Sequence, residues 1–219
     1  MNFNFQKARD MMVENQLRPN KIKDHVILDL FKNIKKEDFL SEEMKGITYS
    51  DLDINLDNNR GYIKNLHIAQ LINSADIKAS DKVLHLGGLT GYVSVILSSL
   101  CKKLIVIENQ EHLINKMKKN IKKLNINNLK IIKTFFQDGF VKESPYDIIF
   151  IDNPIDKVPN LLKDQLSFQQ GRIIMIEKTS DHLCKAYKII KIDNTYTNKY
   201  LFDVFTKYEL FKNDTEFVF

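Results

Sequence analysis

Cysteine and arginine are scarce in this chain, long apolar runs are missing, and each shortage excludes something. The two cysteines, Cys101 and Cys184, lie far apart, with no Cys-x-x-Cys and no histidine at metal-ligand spacing beside them. His25, His67, His85, His112 and His182 are scattered as well. Neither a disulfide framework nor a metal site is therefore expected. Arginine occurs only at Arg9, Arg18, Arg60 and Arg172, so the formal charge of +5 and the pI near 9.0 rest almost wholly on lysine. A nucleic-acid reader more often sets arginine forks against phosphates and bases, which makes the basic balance a weak argument for that partner. No apolar stretch approaches the roughly 20 residues that cross a bilayer, and no secretory leader pattern opens the sequence. The expected location is a reducing cytoplasm, with no membrane partner.

At 219 residues and 43% hydrophobic content the chain can bury one full core, and a single domain is the expectation. Phe5, Ala8 and Met12 recur at helical spacing before Arg18-Pro19 interrupts them. A second stripe of Ile22, Val26, Leu30 and Ile34 predicts an amphipathic helix packed on the first. Asp51 to Asp57 alternates like a half-exposed strand, and Ile63 to Ile72 reads as a helix. From Lys82 onward the pattern becomes regular. Apolar runs at 82–86, 104–107, 129–132, 146–151 and 172–176 read as strands, and the stripes after 92, over 113–124 and over 158–166 read as helices. Such alternation predicts an α/β fold with a mainly parallel, doubly wound sheet. The segments around 187–192 and 199–205 flank Asp193-Asn194-Thr195 and predict a terminal antiparallel hairpin.

In such sheets ligands collect at the carboxyl ends of the strands, so the residues just past those ends carry the functional reading. After the first regular strand stands Gly87-Gly88-Leu89-Thr90-Gly91, where the backbone can approach a ligand and a helix N-terminus begins. Glu108 follows the second strand, about 20 residues beyond the first glycine, the distance at which an acidic group in such folds accepts from the hydroxyls of a ribose. Gln137-Asp138-Gly139 follows the third strand and Asp152-Asn153-Pro154 the fourth. Singly these are turn formers and helix caps. Together with the glycine turn they predict a nucleoside site. The glycine spacing fits neither the dinucleotide fingerprint nor the lysine-bearing phosphate loop.

These residues, in this order, resemble the protein-L-isoaspartate O-methyltransferases, and more closely the shorter members found in alphaproteobacteria. Ala8 to Pro19 is similar to that family's opening helix; Ile22, Asp24, Val26, Leu28, Glu37 and Phe39 follow its next segment. Gly87 to Tyr92 matches its G-T-G-S-G-Y at the outer glycines and the tyrosine. Glu108, Asp138-Gly139, Pro145-Tyr146-Asp147, Pro159, Gln165-Leu166, Gly171-Arg172 and the ending through Phe217-Val218-Phe219 fall where the family has the same or similar residues. The resemblance implies a Rossmann-like methyltransferase fold, with 1–75 as a substrate-side extension and 80–219 as the core. It implies S-adenosylmethionine as cofactor, held by His85, Gly87, Gly88, Leu89, Gly91, Glu108, Gln137, Asp138, Gly139 and Asp152. It further implies methyl transfer to the carboxylate of isoaspartyl residues in damaged proteins. That carboxylate is already nucleophilic at neutral pH, so alignment and exclusion of water are required rather than a general base.

The chain also departs from the family pattern. His85 stands where members carry an acidic residue, Leu89 replaces the middle glycine, and Lys35-Lys36 stand where Pro-Arg is usual. No serine or threonine occurs between Ser50 and Ser74, where the family has a hydroxyl beside the accepting carboxylate; Tyr62, Lys64 and Asn65 are the polar candidates there, balanced between substrate contact and a surface helix start. Two other readings stay open: a relative that keeps the fold as a binding or regulatory protein, and a methyltransferase for another acceptor. A nucleic-acid acceptor is the weakest of these, because Lys116, Lys118, Lys119, Lys122 and Lys123 alternate with Met117 and Ile121 as a solvated helix face does.

Overall fold

The computed structural model describes residues 3–57, 59–193 and 195–211. Phe217-Val218-Phe219, part of the family resemblance, and Asn194 of the expected turn lie outside the described residues.

Asn4 opens α1 (Phe5–Met12) by accepting from the Lys7 amide, and one π-type turn carries the chain to Leu17 before Arg18-Pro19 ends it. α2 (His25–Asn33) starts at Asp24, whose Oδ1 accepts from the amides of Val26 and Ile27. That cap sets the phase of the helix. Ile27, Leu28 and Phe31 face inward, whereas Val26 is 58% exposed. The expected stripe through Ile22, Val26, Leu30 and Ile34 is corrected accordingly: Ile22 precedes the cap and is buried outside the helix, and Ile34 follows its end.

β1 (Ile54–Asp57) and β2 (Arg60–Tyr62) form a small antiparallel hairpin, so only the second half of the alternating 51–57 segment is strand. α3 (Asn65–Ala75) follows. The main sheet then begins, with β3 (Lys82–Leu86), α4 (Tyr92–Ser98), β4 (Lys103–Ile107), α5 (Glu111–Lys123) and β5 (Leu129–Ile132). It continues with β6 (Ile148–Ile151), α6 (Asn160–Lys163), β7 (Gln169–Lys178), β8 (Leu183–Ile192) and β9 (Thr195–Phe205). The strand order is β5-β4-β3-β6-β7-β8-β9. The first five of these run parallel, and β8 and β9 add the antiparallel hairpin predicted for the chain's end.

Period-two side chains split between the two faces of this sheet. Val83, Val106, Ile148, Phe150 and Ile174 cluster with buried residues of α2, α3, α4 and α5. Leu84, Leu86, Ile105, Ile107, Ile149, Ile151 and Ile173 cluster with Phe136, Tyr146, Leu162 and Leu210. The helix expected over 158–166 is shorter: α6 is a single turn behind Pro159, and Leu166 pairs with Tyr146 as an isolated parallel bridge. Arg172 on β7 locks α3 to the sheet by donating to the carbonyls of Ala75 and Asp76 and to Asp81. Among the described residues, no helix is long and apolar enough to cross a membrane.

Strand order reverses between β3 and β6. That is the switch point at which an open parallel sheet leaves a crevice outside its carboxyl ends.

Candidate functional site

Gly87 and Gly91 turn the chain from β3 into α4 with φ of 82° and 100°, values that favour glycine. Leu89, at φ 52°, accepts a left-handed backbone while its side chain is fully buried. The turn closes onto Glu108, just past β4. Leu89 N–H donates to Glu108 Oε2 at 3.0 Å, and the amides of Asn109 and Gln110 donate to Oε1 at 2.9 and 3.1 Å. A fully buried carboxylate is thereby held at the switch point, next to the glycine turn.

Its remaining capacity is taken by the protein itself. Arg60 on β2 donates Nη1 to Oε1 at 2.8 Å and Nη2 to Oε2 at 2.7 Å, a bidentate pair sealed from solvent. The guanidinium lies 4.9 Å from the centre of the Phe136 ring. Phe211 stacks on the same ring at 6.3 Å, with 18° between the planes. Leu210 covers Gly87 so closely that a Cβ there would stand 2.5 Å from its Cδ1. Backbone bonds hold this C-terminal segment in place, from Leu210 N–H to the Pro154 carbonyl at 2.7 Å and from Glu209 N–H to the Asn59 carbonyl at 3.1 Å.

The other sequence candidates divide into a buried group and a peripheral one. His85 and Asp152 meet, with Nε2 3.3 Å from Oδ1, and His85 Nδ1 lies 2.9 Å from Ser94 Oγ. Gly88 packs against Val106, Met117 and Ser94, which makes it a helix-packing glycine. Gly139, at φ 60°, sits under the Gln165 side chain, which donates to the Asp138 carbonyl and accepts from the Phe140 amide. Gln137 is half-buried and Asp138 exposed.

Tyr62 and Asn65 are both buried, so the reading of these two as surface residues at a helix start is corrected. The Thr90 hydroxyl donates to the Phe39 carbonyl, so Tyr62 O–H donates to Thr90 Oγ1 at 2.8 Å and accepts from Tyr92 N–H at 3.1 Å. That fills an amide left open at the start of α4. Asn65 accepts from Lys36 Nζ at 2.7 Å and donates to the Thr48 carbonyl at 3.0 Å. Arg60 Nε, the Tyr92 hydroxyl, Glu209 Oε1 and both polar atoms of the Asn153 side-chain amide are among the atoms buried without a hydrogen-bond partner in the described residues.

As it stands, the crevice is closed to S-adenosylmethionine. A ribose needs the outer lone pairs of Glu108, and Arg60 has them; a base needs apolar space beside the glycine turn, and Leu210, Phe136 and Phe211 fill it. Arg60 and the 206–211 segment are the residues that sequence reasoning missed.

The model of the family described as protein-L-isoaspartate(D-aspartate) O-methyltransferase matches residues 7–205. Protein-L-isoaspartate O-methyltransferase 1 of Syntrophobacter fumaroxidans is 28% identical over 172 residues, which are 78% of this chain and 80% of the relative. A second relative, protein-L-isoaspartate O-methyltransferase 2 of Shewanella sediminis, is 28% identical over 169 residues, covering 77% of this chain and 69% of its own length. In fold, the chain is similar to a solved protein-L-isoaspartate O-methyltransferase with a TM-score of 0.79 at 23% identity, over 92% of this chain and 65% of that one. A Plasmodium falciparum protein solved in complex with S-adenosyl-L-homocysteine gives a TM-score of 0.74 at 22% identity, over 97% of this chain and all of the other. With its residues matched from the first helix to the last strand, this chain belongs to the protein-L-isoaspartate O-methyltransferase family, whose members take their methyl group from S-adenosylmethionine.

Proposed function

We propose that this chain is an S-adenosylmethionine-dependent carboxyl O-methyltransferase acting on isoaspartyl residues, and that it works from a conformation in which the crevice is open. The observation that carries this reading is the placing of Glu108. Its carboxylate is fixed by three backbone amides at the switch point, beside the glycine turn. With Arg60 withdrawn, two oxygens would face the crevice with the geometry that binds paired hydroxyls. The whole chain then acts as one domain, with 1–75 on the substrate side. His85, Gly87, Gly88, Leu89, Gly91 and Asp152 form the wall of the cofactor site, and Gln137, Asp138 and Gly139 its rim.

A groove of about 490 Å³ next to this wall supports a peptide acceptor. It is lined by Thr90, Phe39, Leu40 and Met44, by Lys116 and Lys119, and by Lys45 and Lys123, which are paired there with Glu42 and Asp38. A damaged peptide brings a free carboxylate, and the Lys116 and Lys119 ammonium groups favour its approach. Proteins or peptides with isoaspartyl residues are the partners on this reading, nucleic acid is disfavoured, and the location is cytoplasmic.

The test is transfer of a radiolabelled methyl group from S-adenosylmethionine to matched isoaspartyl and aspartyl peptides. Base-labile label on the isoaspartyl peptide alone is expected. Bound cofactor without transfer would overturn the reading in favour of a binding or regulatory relative, the alternative that the Arg60–Glu108 pair favours.

A further inference from the structure

We propose that Arg60 and the 206–211 segment form a built-in occupant of the nucleoside pocket, which must leave before a cofactor can enter. The inference rests on the cofactor reading above and adds a gate to it. A planar guanidinium presents two parallel N–H groups to Glu108, as a ribose would present two hydroxyls. Leu210 on Gly87, and the Phe136–Phe211 stack beside the guanidinium, occupy the apolar space a base needs.

Arg60 and the segment are joined. The Glu209–Asn59 backbone bond ties the segment to the residue before Arg60, and Tyr208 packs against Gly61, where a Cβ would stand 2.8 Å from its ring. They therefore move as one plug. Beyond the Arg60–Glu108 pair they are held by the buried side chains of Tyr208 and Leu210, the Leu210 amide on Pro154, the Thr206 amide on His182, the Ile155–Phe211 bridge and the Lys178–Glu209 ion pair at 3.1 Å. The closed state is also imperfectly satisfied, because the Arg60 Nε and the Asn153 amide are buried without partners among the described residues. Unmet polar groups of this kind disfavour the state that buries them. Opening exposes the Arg60 Nε to water.

A ligand that binds only the open fraction shows an apparent affinity weakened by that fraction. The experiment is titration of the full chain with S-adenosylmethionine by calorimetry, comparing wild type with the Leu210→Ala/Phe211→Ala variant and with Arg60→Gln. The double variant keeps the buried ion pair and so guards against loss of folding, which circular dichroism checks. Tightening by about tenfold or more in the double variant is expected, with faster hydrogen exchange at the amides of positions 209 and 210, whose bonds opening breaks. Equal affinity in wild type and both variants would overturn the gate while leaving the cofactor reading intact. Absence of binding in every folded variant would overturn the gate as well, and the methyl-transfer assay would then judge the function on its own.

Discussion

Glu108→Ala is expected to lower folding stability by about 3–5 kcal/mol, the range for breaking a buried ion pair from one side. Arg60→Met should cost distinctly less. The asymmetry follows from what each change leaves behind. Without Glu108, the guanidinium remains buried over Phe136, and the amides of Leu89, Asn109 and Gln110 lose their acceptor as well. Without Arg60, the carboxylate still receives those three N–H groups, and hydrogen bonds to a carboxylate are among the stronger ones. The double variant Arg60→Met/Glu108→Leu removes both charges and should recover part of the single-variant loss. Urea denaturation of all four proteins gives the coupling energy. A Glu108→Ala protein as stable as wild type would show that the pair does not form in solution. The same series reports on function: at one S-adenosylmethionine concentration well above Kd, Arg60→Met should be stabilised more than wild type, because a ligand bound only to the folded state adds stability that grows with the logarithm of ligand concentration over Kd.

The fold was largely legible and the closure was not, and the difference has a physical cause. Strands β3, β4, β5 and β6 are apolar runs at the length of buried strands, with helix stripes between them, so local pattern and tertiary structure agree. Glu108 was legible because its distance from the glycine turn is set by one βαβ unit. The phase of α2 was misread because a side-chain cap at Asp24, rather than the apolar period, decides where that helix starts. Arg60 escaped for a different reason. It sits on a short hairpin with no clear period, and its partner lies 48 residues on, beyond any local rule. A signal was nevertheless present in the scarcity of arginine. In a chain that draws its charge from lysine, Arg9, Arg60 and Arg172 are all buried against carboxylates, those of Glu37, Glu108 and Asp81. Bidentate buried pairing is where lysine cannot substitute well. Three of the four arginines thus point to a buried acid, Arg18 with its exposed Glu14 being the exception, and Glu108 was the acid already singled out.

Lys36→Met is expected to flatten the rise in stability that wild type shows between pH 7 and pH 8.5. Lys36 is fully buried, its ammonium 2.7 Å from Asn65 Oδ1 and 5.1 and 5.3 Å from the ring centres of Tyr62 and Tyr92. Burial pushes this group from the usual lysine range down to about 7, and the carboxylates of Asp53 and Asp152 offset only part of that effect. Between that value and the ordinary one near 10.5, the unfolded chain holds a proton that the folded chain has given up. Stability therefore climbs with pH across this window, and the cost of the buried charge stands in full below it. From pH 7 to 8.5 the climb amounts to about 1.5 kcal/mol. Above that range the thiols of Cys101 and Cys184, both raised by burial, ionise first in the unfolded chain and pull the other way. Urea midpoints at pH 7.0 and 8.5 measure the slope. Lys36→Arg should flatten it too, because a guanidinium does not titrate there. The two variants reach the same flat profile by opposite routes, one without a charge and one with a permanent charge, so a slope that survives in both would place the titrating group elsewhere.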